Sequence, residues 1–261
     1  MRTKILVTGA GGQLGKTIEE LYAKNTINLE FVFVSRERLD ITERESITSI
    51  FKIHNFDYCI NCAAYTNVEQ SEKTPEIAYK INAEGVKNLA EVCKTFNSVL
   101  IHISTDYVFD GEKKEPYTTA DLPNPINEYG KSKLQGEKYI QETLERYFII
   151  RTSWLYSKKY GNNFYRTILE KSKQEKELRI TDLQIGCPTD TVNLTNYILS
   201  FIINENKAFG VNHFSDKIAM TWYHFAKKIL IENNMYQKIS LVKMNNYRTF
   251  AARPKNSVLI S

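Results

Sequence analysis

Thr8-Gly9-Ala10-Gly11-Gly12-Gln13-Leu14-Gly15 follows a short apolar, β-rich run (4–8) and opens helix-like sequence over 13–24. Gly9, Gly12 and Gly15 form a GxxGxxG series in a strand–turn–helix setting. Glycine permits the tight turn, lets backbone N–H groups approach a pyrophosphate and lets the helix pack closely on the strand. The helix N-terminus then presents partial positive charge to the anion. A glycine triplet alone also suits a purely structural turn; the strand before it and the helix after it select dinucleotide binding.

Strand and helix signals go on alternating beyond this turn. Strands are predicted at 31–34, 58–62, 98–103 and 147–152. Between them, Thr42-Glu43-Arg44-Glu45 has the spacing of a capping box that opens a helix toward His54. Thr74-Pro75 starts a long helix running to about Phe96, and a loop with Pro116, Pro123 and Pro125 spans 110–127 before a helix over 128–145. Strands separated by such helices imply right-handed βαβ units and a parallel sheet covered on both faces. The expected fold is therefore α/β, a Rossmann-type doubly wound parallel sheet. After Trp154 the pattern loosens, with helices expected at 162–173, 192–203 and 222–233 and short strands at 178–180 and 211–214. Residues 1–153 read as a dinucleotide-binding domain and 154–261 mainly as a smaller, interleaved substrate lobe.

Composition narrows the function classes. At 261 residues, with 42% hydrophobic and 25% charged residues, the chain can bury a sizeable core, which excludes bulk disorder. No apolar run approaches membrane-spanning length, and Ile5-Leu6-Val7 is far too short for a signal-peptide core, so a cytoplasmic location is expected. The net charge of +5 is dispersed, with Lys113-Lys114 and Lys158-Lys159 only pairs, so neither nucleic acid nor membrane is an expected partner. Cys59 and Cys62 have CxxC spacing, but no second pair or nearby histidine completes a zinc site. Three positions apart on a strand they face opposite sides and read as buried thiols. His54, His102, His213 and His224 show no metal spacing, and no metal is predicted.

Cofactor choice is read just after the second strand. Ser35-Arg36 stands there, with Asp40-Ile41 a little further on. Arg36 favours the NADPH phosphate, with NADH also usable; an exposed arginine in a charged loop is the alternative.

Tyr129-Gly130-Lys131-Ser132-Lys133 places a tyrosine and a lysine four apart, hence on one helical face. The ammonium is expected to lower the phenol's pKa and suit it to proton transfer with a carbonyl or alcohol. With 16 tyrosines in the chain, YxxxK alone is weak. The strand before it ends in Ser104-Thr105-Asp106-Tyr107, so Ser104 or Thr105 presents a hydroxyl at a carboxyl end of the sheet, where charge develops on a bound carbonyl. A strand-ending turn is the plainer reading of those hydroxyls. Fingerprint, hydroxyl pair and YxxxK in that order weigh more than any one of them.

These segments, with Leu39-Asp40-Ile41-Thr42, Asn61-Cys62-Ala63-Ala64-Tyr65-Thr66, Val108-Phe109-Asp110-Gly111, Arg151-Thr152-Ser153-Trp154-Leu155-Tyr156, Gly161-Asn162-Asn163-Phe164 and Arg253-Pro254, are spread along nearly the whole chain. Taken together, the chain resembles the extended short-chain dehydrogenase/reductases, and more narrowly the dTDP-4-dehydrorhamnose reductase family. The resemblance implies that Tyr129 is the proton donor, Lys133 its partner and Thr105 the hydroxyl at the substrate carbonyl. It implies that Gly12, Gln13, Leu14, Asp40, Ile41, Ala64, Tyr65 and Thr66 surround the dinucleotide, and that Thr105, Asp106 and Trp154 touch a dTDP-sugar. The implied reaction is reduction of the 4-keto group of dTDP-4-dehydro-6-deoxy-L-mannose to dTDP-L-rhamnose. Another dTDP-4-keto-6-deoxy sugar, or a non-catalytic NADP-binding regulatory subunit, are the alternatives. A 4,6-dehydratase would carry a second carboxylate after Asp106, where this chain has Tyr107. Members of that family usually continue for another helix beyond the Arg253-Pro254 segment, and the acidic ligands of a metal-bridged dimer find no match here. The expected assembly is a monomer or homodimer.

Overall fold

The computed structural model describes residues 2–24, 28–246 and 248–260. β1 (Thr3–Thr8), β2 (Leu29–Val34), β3 (Tyr58–Asn61), β4 (Val99–Thr105) and β5 (Tyr147–Thr152) follow one another through the first half. The second half adds the short β6 (Leu155–Tyr156), β7 (Glu177–Thr181), β8 (Ile185–Gly186) and β9 (Thr189–Asp190). β10 (Gly210–Phe214), β11 (Met220–Thr221) and β12 (Ser240–Met244) complete the strands. The central sheet has six parallel strands in the order β10-β5-β4-β3-β1-β2. The chain leaves β1 toward β2 on one side and places β3 on the other, so the connections part at the carboxyl ends of β1 and β3 and open a crevice there.

Helices cover both faces. α1 (Gln13–Tyr22), α2 (Arg44–His54), α3 (Val68–Lys73), α4 (Pro75–Tyr79), α5 (Gly85–Thr95) and α6 (Glu128–Thr143) belong to the first half. α7 (Phe164–Gln174), α8 (Thr191–Ile203) and α9 (Trp222–Glu232) belong to the second. Leu6, Cys59, Leu100 and Ile149 point from the sheet to one core, with Phe51 of α2, Leu89 of α5 and Ile140 of α6. Their sequence neighbours Ile5, Ile60, Ile101 and Ile150 point to the other, against Ile18 of α1 and Ile198 of α8. Burial on both faces is why these strands read as nearly continuous apolar runs, each buried Ile or Leu contributing about 1.5–3 kcal/mol. A third core joins Ile168 of α7, Leu178 of β7 and Ile229 of α9. The expected boundary after Ser153 falls between β5 and β6, while α8 and β10 return to the central sheet. Among the described residues no helix is long and apolar enough to cross a membrane.

Three local expectations need correction. The capping box does not form: α2 is preceded by Glu43, with no side-chain cap, and Thr42 instead donates its N–H to Asp40 Oδ1 at 2.9 Å. The long helix from Pro75 is interrupted by a π-helical turn, Lys80–Glu84, which carries Asn82 inward to bridge Tyr65 and Ser132. A helix not expected from the pattern, α3, stands between β3 and Pro75, capped by the Asn67 side chain. Cys59 and Cys62 do face opposite sides of the sheet, and both are free thiols.

Candidate active site

The glycine turn fits an anion. Gly9 has φ +64°, and a Cβ there would lie 2.5 Å from the backbone nitrogen of Ala63, so the ends of β1 and β3 approach each other only over glycine. A Cβ on Gly15 would lie 2.6 Å from Ala10 Cα, which lets α1 close onto the turn. Gly12 caps α1 in extended conformation without a side-chain partner, leaving the helix's first N–H groups free of any capping side chain. Gln13 ties the turn to the second half: its Nε2 donates to Leu155 O at 3.1 Å and its Oε1 accepts from Asn163 at 3.0 Å.

A cleft of about 600 Å³ opens from this turn along the carboxyl ends of the sheet. Gly12, Gln13, Leu14, Ala64, Thr66, Thr105, Asp106, Tyr129, Lys133 and Trp154 all line it. The other expected cofactor residues stand behind or beside it. Gly9 shapes the turn, Ile41 is buried against Gly85, and Asn82 clamps the Tyr65 backbone. Arg36 is an exposed side chain at the end of β2, its Nε 3.3 Å from Asp40 Oδ2.

α6 and β4 bring the proton-transfer groups together. Asn127 caps α6 by accepting from Gly130 N–H at 2.7 Å, and one turn of helix separates Tyr129 from Lys133. Thr105 ends β4 at the cleft, and its hydroxyl favours the ionised form of the nearby Tyr129 phenol. The same oxygen donates to Asp106 Oδ1 at 3.1 Å and accepts from Tyr107 N–H. Ser104 is engaged elsewhere, donating to Glu137. Thr105 is thus the hydroxyl left for the cleft.

The expected acidic phenol is not what the structure contains. Burial, with Asp106 and Tyr107 adding to it, pushes the Tyr129 pKa well above its ordinary value, and only the Thr105 hydroxyl opposes this. Lys133 does not reach the phenol; its Nζ lies 2.6 Å from Ile103 O and 3.1 Å from His102 Nε2. Burial also pushes Lys133 down to about 8, with Glu137 and Cys62 working against the shift. The phenol therefore holds its proton in this state, the form a proton donor needs.

Asp106 is the carboxylic acid of the cleft, raised to about 6 by burial against the pull of the Ser257, Ser153 and Thr105 hydroxyls. Its Oδ2 is buried with no hydrogen-bond partner among the described residues, an acceptor suited to a ligand hydroxyl. Trp154 sits at φ +48°, a left-handed conformation costing about 1–3 kcal/mol for a non-glycine residue. It stacks on Trp222 with ring centroids 3.5 Å apart and planes 6° from parallel, and Gly186 leaves room for its indole.

Trp222, Phe164 and Arg253 also line the cleft and were not among the expected site residues. Phe164 and Arg253 stand in quoted motifs, the one available signal; Trp222 had none beyond its residue type. Arg253 is held by Glu69 Oε1 at 2.8 Å and by the Tyr107 hydroxyl at 3.3 Å. No group of three or more His, Cys, Asp or Glu side chains able to hold a metal occurs among the described residues.

The sequence profile of the RmlD substrate binding domain family matches residues 3–261. The chain is 36% identical over 266 aligned residues to a dTDP-4-dehydrorhamnose reductase of Aggregatibacter actinomycetemcomitans, covering 98% of this chain and 90% of that one. It is 36% identical over 228 residues to a dTDP-4-keto-6-deoxy-D-glucose reductase of Streptomyces niveus, covering 87% and 77%. The crystal structure of dTDP-4-dehydrorhamnose reductase from Bacillus anthracis str. Ames in complex with NADP matches at a TM-score of 0.95 and 38% identity, over 100% of this chain and 91% of that one.

Proposed function

The chain belongs to the RmlD substrate binding domain family, and from that premise we propose that it reduces the 4-keto group of dTDP-4-dehydro-6-deoxy-L-mannose to dTDP-L-rhamnose with NADPH. The observation that carries this reading is the meeting of Thr105 and the protonated Tyr129 in one cleft with the uncapped glycine turn. The full-length match to a structure holding NADP supports the dinucleotide.

Each side chain has a distinct part. The N–H groups at the start of α1 hold the pyrophosphate, and Arg36 meets the additional phosphate of NADPH. Bound NADPH supplies the hydride. Tyr129 gives its proton to the keto oxygen, while the Thr105 hydroxyl swings from Asp106 Oδ1 to donate to the same oxygen as charge develops on it. Lys133 turns toward the phenolate that remains. Asp106 Oδ2 accepts from a sugar hydroxyl, and Trp154 packs on the sugar nucleotide. Residues 1–153 bind the dinucleotide and the lobe within 154–261 holds the dTDP-sugar, the protein acting in the cytoplasm as a monomer or homodimer without nucleic acid or membrane.

An assay of reduced-nicotinamide absorbance with the 4-keto sugar nucleotide, followed by NMR identification of the product, tests the reading. Oxidation of NADPH with formation of dTDP-L-rhamnose is expected. Tight NADP⁺ binding with no oxidation by any dTDP-4-keto-6-deoxy sugar would overturn it in favour of a non-catalytic subunit.

A further inference from the structure

Thr8, Asn61 and His102 occupy one row across three neighbouring strands, paired Thr8↔Asn61 and Asn61↔His102. All three are buried, and so is Lys133, which approaches the end of that row from α6. The hydrogen bonds along it fix who donates. Ala63 N–H can only donate, and it meets Asn61 Oδ1 at 3.1 Å, where the Thr8 hydroxyl also donates at 2.7 Å. The amide nitrogen of Asn61 must therefore face His102 Nδ1, 3.0 Å away, and donate to it. A histidine that accepts at Nδ1 is neutral and carries its proton on Nε2.

That Nε2–H points at Lys133 Nζ, 3.1 Å away. Two donors cannot share this contact. An amine with a lone pair resolves the conflict, accepting from Nε2–H while donating to Ile103 O at 2.6 Å. The groups around Nζ favour the ammonium only from a distance, and none bonds to it as a counter-ion among the described residues. Glu137, the next turn of α6, is paired with Arg151 of β5 at 2.7 Å, and Cys62, after β3, is held as a thiol by burial. Tyr129, on the same helix, keeps its proton.

We propose that His102 is a positioning residue that holds Lys133 as an uncharged amine until the dinucleotide binds, so that binding draws one proton from solvent onto Nζ. The inference rests on the dinucleotide-binding function assigned above. Its sense is chemical. A neutral Lys133 leaves Tyr129 protonated before the reaction, and a charged one is needed only once the phenolate forms. The dinucleotide brings further negative charge and hydroxyl acceptors to Nζ, and both favour the ammonium. The proton comes from water, the imidazole keeps its own, no other covalent bond changes, and the Nε2–H···Nζ hydrogen bond is given up as the ammonium turns to the dinucleotide.

The test is calorimetric titration of the protein with NADP⁺ at about pH 9, in two buffers of different ionisation enthalpy. At that pH the dinucleotide's phosphates no longer titrate, and proton uptake is read directly. Uptake approaching one proton per chain is expected. His102→Phe removes the opposing donor, and Asn61→Asp makes Nδ1 the proton carrier and Nε2 an acceptor; each should cut uptake at least threefold. Binding without uptake in the unaltered protein, or unchanged uptake in both variants, overturns the proposal alone. Failure to bind NADP⁺ overturns the functional assignment and this inference with it.

Discussion

Glu137 stands one helical turn beyond Lys133, yet its carboxylate turns to Arg151, 2.7 Å away, and to the Ser104 hydroxyl instead of to the lysine. The nearest acid along the helix is engaged by a different cation. A chain of consequences reaches the cleft from this choice: Lys133 is left to backbone and imidazole partners, and Tyr129 keeps its proton.

The pair itself should be costly to break. Glu137 is 0% and Arg151 4% exposed, and Arg151 Nη1 already lacks a partner among the described residues. Glu137→Gln leaves a buried guanidinium without counter-charge and should lower unfolding free energy by about 3–5 kcal/mol. Urea denaturation measures it, and a loss below about 1 kcal/mol would show that the pair does little.

Tyr129→Phe removes the transferable proton and leaves the glycine turn untouched. NADP⁺ affinity should stay close to that of the unaltered protein while kcat falls by about 10²–10⁴-fold. Near-normal turnover would take Tyr129 out of the acid role.

Arg36 is 76% exposed, and its one ion pair among the described residues is with Asp40. Arg36→Ala should raise KM for NADPH by about tenfold, and KM for NADH by less than about twofold, because only the former carries the extra phosphate. Steady-state kinetics with both dinucleotides decide it; equal effects would remove Arg36 from cofactor choice.

Asp106 gives a pH signature. Burial raises its pKa to about 6, above an unfolded value of about 4. Between those values the native chain holds a proton that the unfolded chain has released, so this group's contribution to stability falls as pH rises through the window. Asp106→Asn removes the buried charge and should stabilise the fold by about 1–3 kcal/mol at pH 7, the gain shrinking toward pH 4. Activity should drop in the same variant, because the acceptor for the sugar hydroxyl becomes a weaker one. A gain equal at both pH values would assign it to something other than charge burial.

What could be read in the sequence is what is local. Gly9, Gly12 and Gly15 declare a turn through their spacing, Tyr129 and Lys133 share a helix face by arithmetic, and the apolar runs of β1, β3, β4 and β5 announce a doubly covered sheet. What escaped depends on residues distant in the chain. His102 reads as one more strand residue until β4 is laid beside β3 and α6 is folded over it. The phenol was expected to be acidic because spacing shows that Lys133 is near but not where its Nζ is held. The π turn at Lys80–Glu84 has its reason in Tyr65 and Ser132, outside the helix that contains it. The capping box at Thr42 failed for a local cause, since Asp40 takes the Thr42 N–H first.

The chain possesses two tryptophans, and both indoles are in the face-to-face stack of Trp154 on Trp222 at the cleft. All of its indole light therefore originates at a single spot beside the proposed sugar seat, with no second emitter elsewhere to dilute the signal. Occupancy of the cleft can be followed by intrinsic emission and near-ultraviolet dichroism, label-free, in a protein whose own architecture has installed the reporter.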